Sequence, residues 1–217
     1  MYNIYLFDFD YTLADSHRGI VMCFRHVLNK HGIENVSDEA IKKTIGLTLI
    51  DAFRILTKNE DEELLKTYKE EYVLKADEVM TKNTVLYKET IPMFKRLKDA
   101  GHKIGIISTK LRYRIEDTLD AYEIRNFVDL IVGGEDVECP KPNPEGIYKA
   151  IDYFKGQKEE VLYVGDSYID AQAAMNAGVA FMGVTTGTTT KEDFLSYPYV
   201  KIMDTLDEVA NVHNKNL

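Results

Sequence analysis

Two aspartates stand two positions apart, Asp8 and Asp10, just after the apolar run from Ile4 to Phe7. On a turn from strand to loop, both carboxylates can face one opening. One carboxylate of such a pair can attack phosphorus and form an acyl phosphate. The other can give a proton to the leaving oxygen and later take one from water. The pair alone also fits a solvated turn or a generic cation ligand. Other residues are therefore needed to distinguish these possibilities from phosphoryl transfer.

Three more candidate groups follow other strand-like runs. They are Ser108 after Lys103–Ile107, Lys141 in the loop beyond residues 130–134, and Asp166 after Val161–Gly165. Because the carboxyl ends of parallel strands converge on one crevice, residues that are distant in sequence can meet there. The four segments together predict one shared site, with phosphoryl transfer through an aspartyl-phosphate.

A further carboxylate, Asp170, follows Asp166 by four residues. Magnesium is usually held by one or two carboxylates together with water and phosphate oxygens of the substrate. We expect Asp8 and Asp166 to bind it directly, and Asp170 to act through water or by orienting a ligand. Alternatively, Asp170 could be an ordinary carboxylate in the first turn of a helix, where the helix dipole favours a negative charge.

Hydroxyl, amide and ammonium groups of the second and third segments are suited to a phosphate. Ser108 and the N–H of Thr109 could donate hydrogen bonds to phosphoryl oxygens, and Lys141 could neutralise their charge. Ser108 could instead be a strand-end hydroxyl bonded locally, and Lys141 a surface cation. Three more cations follow the second segment and could hold phosphate or be ordinary surface charges: Lys110, Arg112 and Arg114.

Composition limits the class of protein. The 217 residues are 45% hydrophobic, which is enough for a sizeable core. The formal net charge of −9 disfavours a surface that binds nucleic acid, and no apolar run reaches membrane-spanning length. Two cysteines cannot build a disulfide framework, so we expect a cytoplasmic protein. Cys139 lies two positions before Lys141. It could be a thiol near the site or an ordinary loop cysteine.

The chain changes its pattern near Leu86. Residues 15–85 carry apolar stripes at helical spacing and no convincing strand, whereas helix and strand alternate from Leu86 onward. This predicts an α/β core, residues 1–14 and 86–217, with a doubly wound parallel sheet. Residues 15–85 are predicted to be a helical cap inserted after the first strand.

The four segments resemble the four motifs of the haloacid dehalogenase superfamily. They are Asp8-Phe9-Asp10-Tyr11-Thr12-Leu13, Ser108-Thr109-Lys110, Lys141-Pro142-Asn143-Pro144, and Gly165-Asp166-Ser167-Tyr168-Ile169-Asp170. The resemblance extends along essentially the whole chain and implies a Rossmann-like core with a helical cap.

The same resemblance implies roles for individual residues. Asp8 would be the nucleophile and Asp10 the general acid and base. Magnesium would lie on Asp8, on Asp166 and on the main-chain carbonyl of Asp10, with Asp170 in support. Phosphate would be held by Ser108, Thr109 and Lys141, which sit in the matching motifs.

Within the superfamily the chain is most similar to the phosphoglycolate phosphatase group. Asp15-Ser16 and the triplet Ser108-Thr109-Lys110 carry this similarity, whereas Tyr11 replaces a common glycine and could narrow the route between core and cap. The turn that contains Thr44 and Leu47 resembles the loop that reaches the substrate in relatives. These two are candidate specificity residues, unless the turn is an ordinary connection between helices.

The predicted activity is magnesium-dependent hydrolysis of a small phosphorylated metabolite such as phosphoglycolate. Pyrophosphatase and sugar phosphomutase are alternatives, although mutase relatives carry a basic residue soon after the cap glycine and none follows Gly46. Phosphonatase relatives need a lysine after that glycine, whereas Lys42 and Lys43 precede it. Dehalogenases lack the second acid that Asp10 provides. An inactive binding relative would have lost motif residues, and none is lost.

Overall fold

The structure, a computed structural model, describes residues 2–211. Its strands are β1 (Ile4–Phe7), β2 (Ala14–Asp15), β3 (Val85–Leu86), β4 (Lys103–Ile107), β5 (Leu130–Val132), β6 (Val161–Gly165), β7 (Ala180–Val184) and β8 (Lys201–Met203). Its α-helices are α1 (His17–Lys30), α2 (Asp38–Lys42), α3 (Leu49–Thr57), α4 (Glu62–Val79), α5 (Thr90–Asp99), α6 (Arg112–Ala121), α7 (Glu145–Phe154), α8 (Tyr168–Ala177) and α9 (Lys191–Phe194). Short 3-10 helices cover Thr81–Asn83, Arg125–Phe127, Gly134–Asp136, Lys158–Glu160 and Leu206–Asn211. Within residues 2–211, no helix is long and apolar enough to span a bilayer.

Contacts divide the chain into two compact units. The first unit is Met1–Ala14 with Leu86–Leu217, and the second is Asp15–Val85. Residues 1 and 212–217 of the predicted core lie outside the described residues. Asp15 and Val85, at the ends of the stretch predicted to be all helical, belong instead to β2 and β3, which pair as a two-stranded sheet.

The first unit is built on a parallel sheet of six strands in the order β5-β4-β1-β6-β7-β8. The central strand, β1, has β4 on one side and β6 on the other, and Phe7 is in register with Ile106 and Val164. The strand order therefore reverses at β1, which is where such sheets open a crevice at their carboxyl ends. The predicted fold class is confirmed.

Helices cover both faces of this sheet. Tyr5 and Phe7 point into a core cluster that includes Phe94 of α5. Ile4 and Leu6, which alternate with them, point into a second cluster with residues of α7 and α8. Burial on both faces explains why β1 reads as a continuous apolar run, and it fixes the strand whose end carries Asp8.

The second unit packs its four helices around aromatic side chains. Phe24 of α1 lies 4.7 Å from Phe53 of α3 and 5.0 Å from Tyr72 of α4, between ring centroids. Side-chain caps begin three of the helices, because the side chains of Ser37, Thr48 and Asp61 accept hydrogen bonds from main-chain N–H groups of the first turn.

Candidate active site

The four predicted segments all belong to the first unit, and three of them directly follow strands of the sheet. Asp8 follows β1, Ser108 follows β4 and Asp166 follows β6. The fourth residue, Lys141, precedes α7, and its Nζ lies 2.9 Å from Oδ1 of Asp8. All four side chains are buried. The structure thus brings residues 8, 108, 141 and 166 to the same edge of the sheet.

Lys141 is a buried ammonium rather than a surface cation. Its Nζ lies 2.6 Å from Oδ1 of Asp170 and 3.2 Å from the hydroxyl of Tyr163. That hydroxyl also lies 2.9 Å from Oδ1 of Asp170 and 3.3 Å from the carbonyl of Ile107. Tyr163, in the middle of β6, therefore holds Lys141 and Asp170 together. The sequence did not indicate this role, because Tyr163 lies within an apolar strand-like run.

Asp170 has the helix-start role that was one alternative for it, and its second carboxylate oxygen faces the site. Its Oδ2 accepts hydrogen bonds from the hydroxyl of Ser167 at 2.6 Å and from the N–H of Ser167 at 3.1 Å, which closes a capping box at the start of α8. Its Oδ1 faces Lys141. Gly165 leaves room for this arrangement, since a Cβ there would overlap the Asp170 side chain. The helix start thus aims one carboxylate oxygen into the site.

Asp166 is fixed by two other loops. The hydroxyl of Thr12 donates a hydrogen bond to Oδ1 of Asp166 at 2.9 Å. Gly187, in the loop after β7, lies against the other oxygen. In the same loop, the Thr186 hydroxyl bonds to the carbonyl of Tyr11, whose φ of 61° is left-handed. The first motif and the loop after β7 thereby hold Asp166 from both sides.

Asp10 is paired with a lysine from the neighbouring strand end. Nζ of Lys110 lies 2.9 Å from Oδ1 and 3.2 Å from Oδ2 of Asp10. Lys110 is largely buried, with its Nζ 5.8 Å from the centroid of the Phe9 ring. The two arginines have other neighbours: Arg112 lies 2.6 Å from Asp136, and Arg114 lies 4.9 Å from the Tyr113 ring centroid. Lys110 thus contacts the candidate site residue Asp10 directly.

Ser108, Thr109 and Lys141 line a small pocket, together with Cys139. The N–H of Ser108 donates to the carbonyl of Val132 at 3.0 Å, which continues the sheet ladder and fixes the loop that follows. The Ser108 hydroxyl and the Lys110 N–H are 3.4 Å apart, so the local alternative for this hydroxyl is present but weak.

Thr44 and Leu47 lie in the second unit, in the turn between α2 and α3. Thr44 is buried, its hydroxyl donates to the carbonyl of Ile41 at 2.7 Å, and its carbonyl accepts from the N–H of Leu47 at 3.1 Å. Gly46 has a φ of 99°, which favours glycine there. These bonds shape the turn, and its contribution to specificity stays a prediction.

The electrostatics of the site favour a bound cation. Burial raises the pKa of Asp8 to about 6, with help from the negative charges of Asp170 and Asp10. Burial and the charges of Asp170 and Asp8 also raise the pKa of Asp166 well above its ordinary value. Burial alone would lower the pKa of Lys141, but Asp170 and Asp8 hold it well above the ordinary value. Lys141 is therefore an ammonium among carboxylates whose charges repel one another.

The donor set fits magnesium. Asp8, Asp166 and Asp170 each bring one oxygen to within 4.8 Å of the others, and all three residues are buried. Within residues 2–211, Oδ1 of Asp8 has no partner in hydrogen-bonding geometry, although Nζ of Lys141 is close to it. Buried carboxylate oxygens of this kind are the ligands that a hard divalent cation prefers.

Comparison with known proteins decides the family. The family model of haloacid dehalogenase-like hydrolases matches residues 5–184, a range that contains all four segments. The chain belongs to the haloacid dehalogenase-like hydrolase family. The family predicted from the motifs is therefore confirmed, and so is the enzyme class, a hydrolase of the phosphatase type.

Relatives of this hydrolase support the assignment along the chain. A haloacid dehalogenase-like hydrolase from Bacteroides fragilis is 51% identical, with a TM-score of 0.95 over 96% of this chain and 100% of that one. Pyrophosphatase PpaX of Bacillus cereus (strain B4264) is 33% identical over 84% of this chain and 83% of its own length. A predicted phosphatase from Clostridium acetobutylicum has a TM-score of 0.89 at 24% identity over 97% of both chains, and this likeness concerns the fold.

Proposed function

We propose that this haloacid dehalogenase-like hydrolase is a magnesium-dependent phosphatase that cleaves a small phosphorylated metabolite through an aspartyl-phosphate on Asp8. The observation that carries the proposal is the pairing of Asp8 with Lys141, both buried, with Nζ and Oδ1 2.9 Å apart at the end of the central strand. A carboxylate held in this way can attack a phosphorus atom while the ammonium neutralises negative charge on the carboxylate and on the phosphoryl oxygens.

Each remaining group has a part in this proposal. Asp10 gives a proton to the leaving oxygen and later takes one from the attacking water. The phosphoryl oxygens are bound by Lys141, by the Ser108 hydroxyl and by the N–H of Thr109. Tyr163 is a positioning residue, because it bonds to Lys141 without occupying the pocket.

Magnesium would be held by the carboxylates of Asp8 and Asp166 and by the main-chain carbonyl of Asp10, with Asp170 in support. When bound, it supplies positive charge to the phosphoryl oxygens and fixes their orientation. The raised pKa values of Asp8 and Asp166 support this assignment, because a bound cation offsets both the burial and the repulsion that raise them.

For the substrate, we infer a phosphoglycolate-like monoester, on the similarity of the Ser108-Thr109-Lys110 triplet to that group. Pyrophosphate is the second candidate, because a relative at 33% identity is named a pyrophosphatase. Two free cysteines, one buried and one exposed, fit a reducing compartment such as the cytoplasm.

We also propose that residues 15–85 are a cap and that Thr44 and Leu47 contribute to substrate choice. The four core segments supply phosphate chemistry but few groups that could recognise the rest of a metabolite. Thr44→Val and Leu47→Ala should therefore change the ranking of metabolites by kcat/KM more than they change hydrolysis of a small aryl phosphate. An unchanged ranking in both variants would remove the two residues from the proposal.

The function is tested with a panel of phosphorylated metabolites in the presence of magnesium. Phosphate release is measured for phosphoglycolate, pyrophosphate, sugar phosphates and nucleotides, with the Asp8→Asn variant as the blank. We expect release from phosphoglycolate or pyrophosphate well above the blank. The proposal would be contradicted if, for every compound, the wild type released no more phosphate than the Asp8→Asn blank.

A further inference from the structure

Lys110 is a fixed cation at the edge of the site. Its carbonyl accepts a hydrogen bond from the N–H of Gly134 at 3.0 Å, and its N–H lies 3.4 Å from the Ser108 hydroxyl. Its side chain is 6% exposed and ends at both oxygens of Asp10. A lysine loses much conformational freedom in such a position, so its ammonium has a defined place before substrate arrives.

The charge of Lys110 is needed when a substrate binds. The site holds four carboxylates, of Asp8, Asp10, Asp166 and Asp170, and the ammonium groups of Lys141 and Lys110 contact three of them. With all groups ionised, one divalent cation makes this set neutral. Without Lys110 the set would stay negative and would repel an anionic substrate.

The two lysines serve different sides of the site. Lys141 contacts Asp8 and Asp170, whereas Lys110 contacts Asp10. In the proposed function Asp10 faces the leaving oxygen. Because Lys110 contacts Asp10, its ammonium lies on the leaving-group side of the site. An ammonium has three donors, and contact with the two oxygens of Asp10 still allows a hydrogen bond to another anion.

We propose that Lys110 is a specificity-determining residue that selects substrates whose leaving group carries a negative charge of its own close to the ester oxygen. A carboxylate or a second phosphate has this chemistry, and a neutral alcohol does not. The proposal rests on the proposed function, because it takes the leaving side of the site from the role of Asp10. It differs from a role in which Lys110 only holds Asp10, since that role would slow the substrates with the poorest leaving groups most, whatever charge the leaving group carries.

The test compares matched substrates that differ in leaving-group charge. One pair is 2-phosphoglycolate and its uncharged amide, and the other is pyrophosphate and methyl phosphate. The quantity measured is the ratio of kcat/KM within each pair, for the wild type and for Lys110→Met, Lys110→Gln and Lys110→Arg. Lys98→Met is the control, because Lys98 makes a similar two-oxygen pair with Asp129, at 2.8 and 2.9 Å, elsewhere in the same unit.

We expect the wild type to prefer the charged member of each pair. Lys110→Met and Lys110→Gln should reduce that preference by roughly 10- to 100-fold, the effect of one hydrogen bond between charged groups. Lys110→Arg should retain most of it, and Lys98→Met should leave it unchanged. If Lys110→Met lowers both members equally, or the uncharged member more, or if the wild type shows no preference, the inference is wrong while the phosphatase proposal stands. If the wild type cleaves no member of either pair and no compound of the metabolite panel, the proposed function itself fails.

Discussion

The main chain of Gly187 lies so close to Asp166 that a Cβ at residue 187 would overlap Oδ2 of that carboxylate. The other oxygen of Asp166 accepts a hydrogen bond from Thr12 at 2.9 Å. Asp166 follows β6, and Gly187 follows β7, the neighbouring strand. A glycine in an otherwise ordinary threonine-rich loop is thus a structural requirement of the candidate metal site.

Gly187→Ala should displace the Asp166 carboxylate and raise the magnesium concentration for half-maximal activity by roughly 10- to 100-fold, as changes beside metal ligands do. The measurement is a magnesium titration of activity. Gly183→Ala on β7 is the matched control, because its Cβ would meet the Phe194 ring at 3.2 to 3.3 Å and should affect stability instead. Equal shifts of the titration in both variants would show that Gly187 has no special link to the metal.

Chelation should abolish activity, magnesium should restore it, and calcium should restore it poorly because calcium tolerates higher and more flexible coordination. Saturating magnesium should also raise Tm by about 5 °C. Asp166→Asn should lose this rise in Tm, whereas Asp193→Asn, which removes the charge of the carboxylate that accepts hydrogen bonds from Thr190 in the capping box of α9, should keep it. A full rise in Asp166→Asn would place the metal elsewhere.

Asp10→Asn should slow hydrolysis of alkyl phosphates by roughly 100- to 10,000-fold, the usual contribution of general acid catalysis. Aryl phosphates with good leaving groups should be affected much less, because they need no proton to depart. The measurement is the dependence of kcat on leaving-group pKa in the variant and in the wild type. Parallel dependences would show that Asp10 does not protonate the leaving group.

Glu145, at the start of α7, should link stability to pH through the loop that carries Lys141. Lys149 and the N–H groups of Cys139 and Glu138 lower the pKa of Glu145 to about 2. Because the folded-state pKa lies below the ordinary value of 4.5, the stabilisation is complete above pH 4.5 and is lost as the pH falls towards 2. The exposed Glu159 serves as the control position.

In urea unfolding, Glu145→Gln should have a lower midpoint than the wild type at pH 7, and the gap should shrink from pH 4.5 to pH 3. Glu159→Gln should show no such gap. A gap for Glu145→Gln that stays constant over this range would mean that the carboxylate charge is not its cause.

The sequence predicted the sheet and the proximity of the candidate site residues because both depend on local patterns. Apolar runs end at polar residues, and a parallel sheet brings those ends together, so Asp8 and Asp166 could be grouped from spacing alone. Helix boundaries depend less on the apolar pattern, since α4 begins at Glu62, directly after the capping residue Asp61. Side-chain caps such as Asp61 decide these ends.

Other site features depend on tertiary contacts that no local pattern records. Tyr163 was part of an apolar strand in the sequence, and its hydroxyl acquires a role only when Lys141 and Asp170 surround it. Lys110 was one of three neighbouring cations, and only the adjacency of β4 and β1 directs it to Asp10. One signal in the sequence could have indicated both residues. Each has a polar group within or just after a strand whose neighbour in the sheet ends at a candidate site residue.

The central claim is that Asp8 becomes covalently phosphorylated. It is tested most directly by acid-quenched single turnover with an aryl phosphate labelled with ³²P, followed by peptide mapping. The account predicts acid-stable label on the peptide that contains Asp8, reduced when the quench is delayed and absent in Asp8→Asn, whose Tm should match that of the wild type. Label on a different residue, or full turnover in Asp8→Asn, would contradict it.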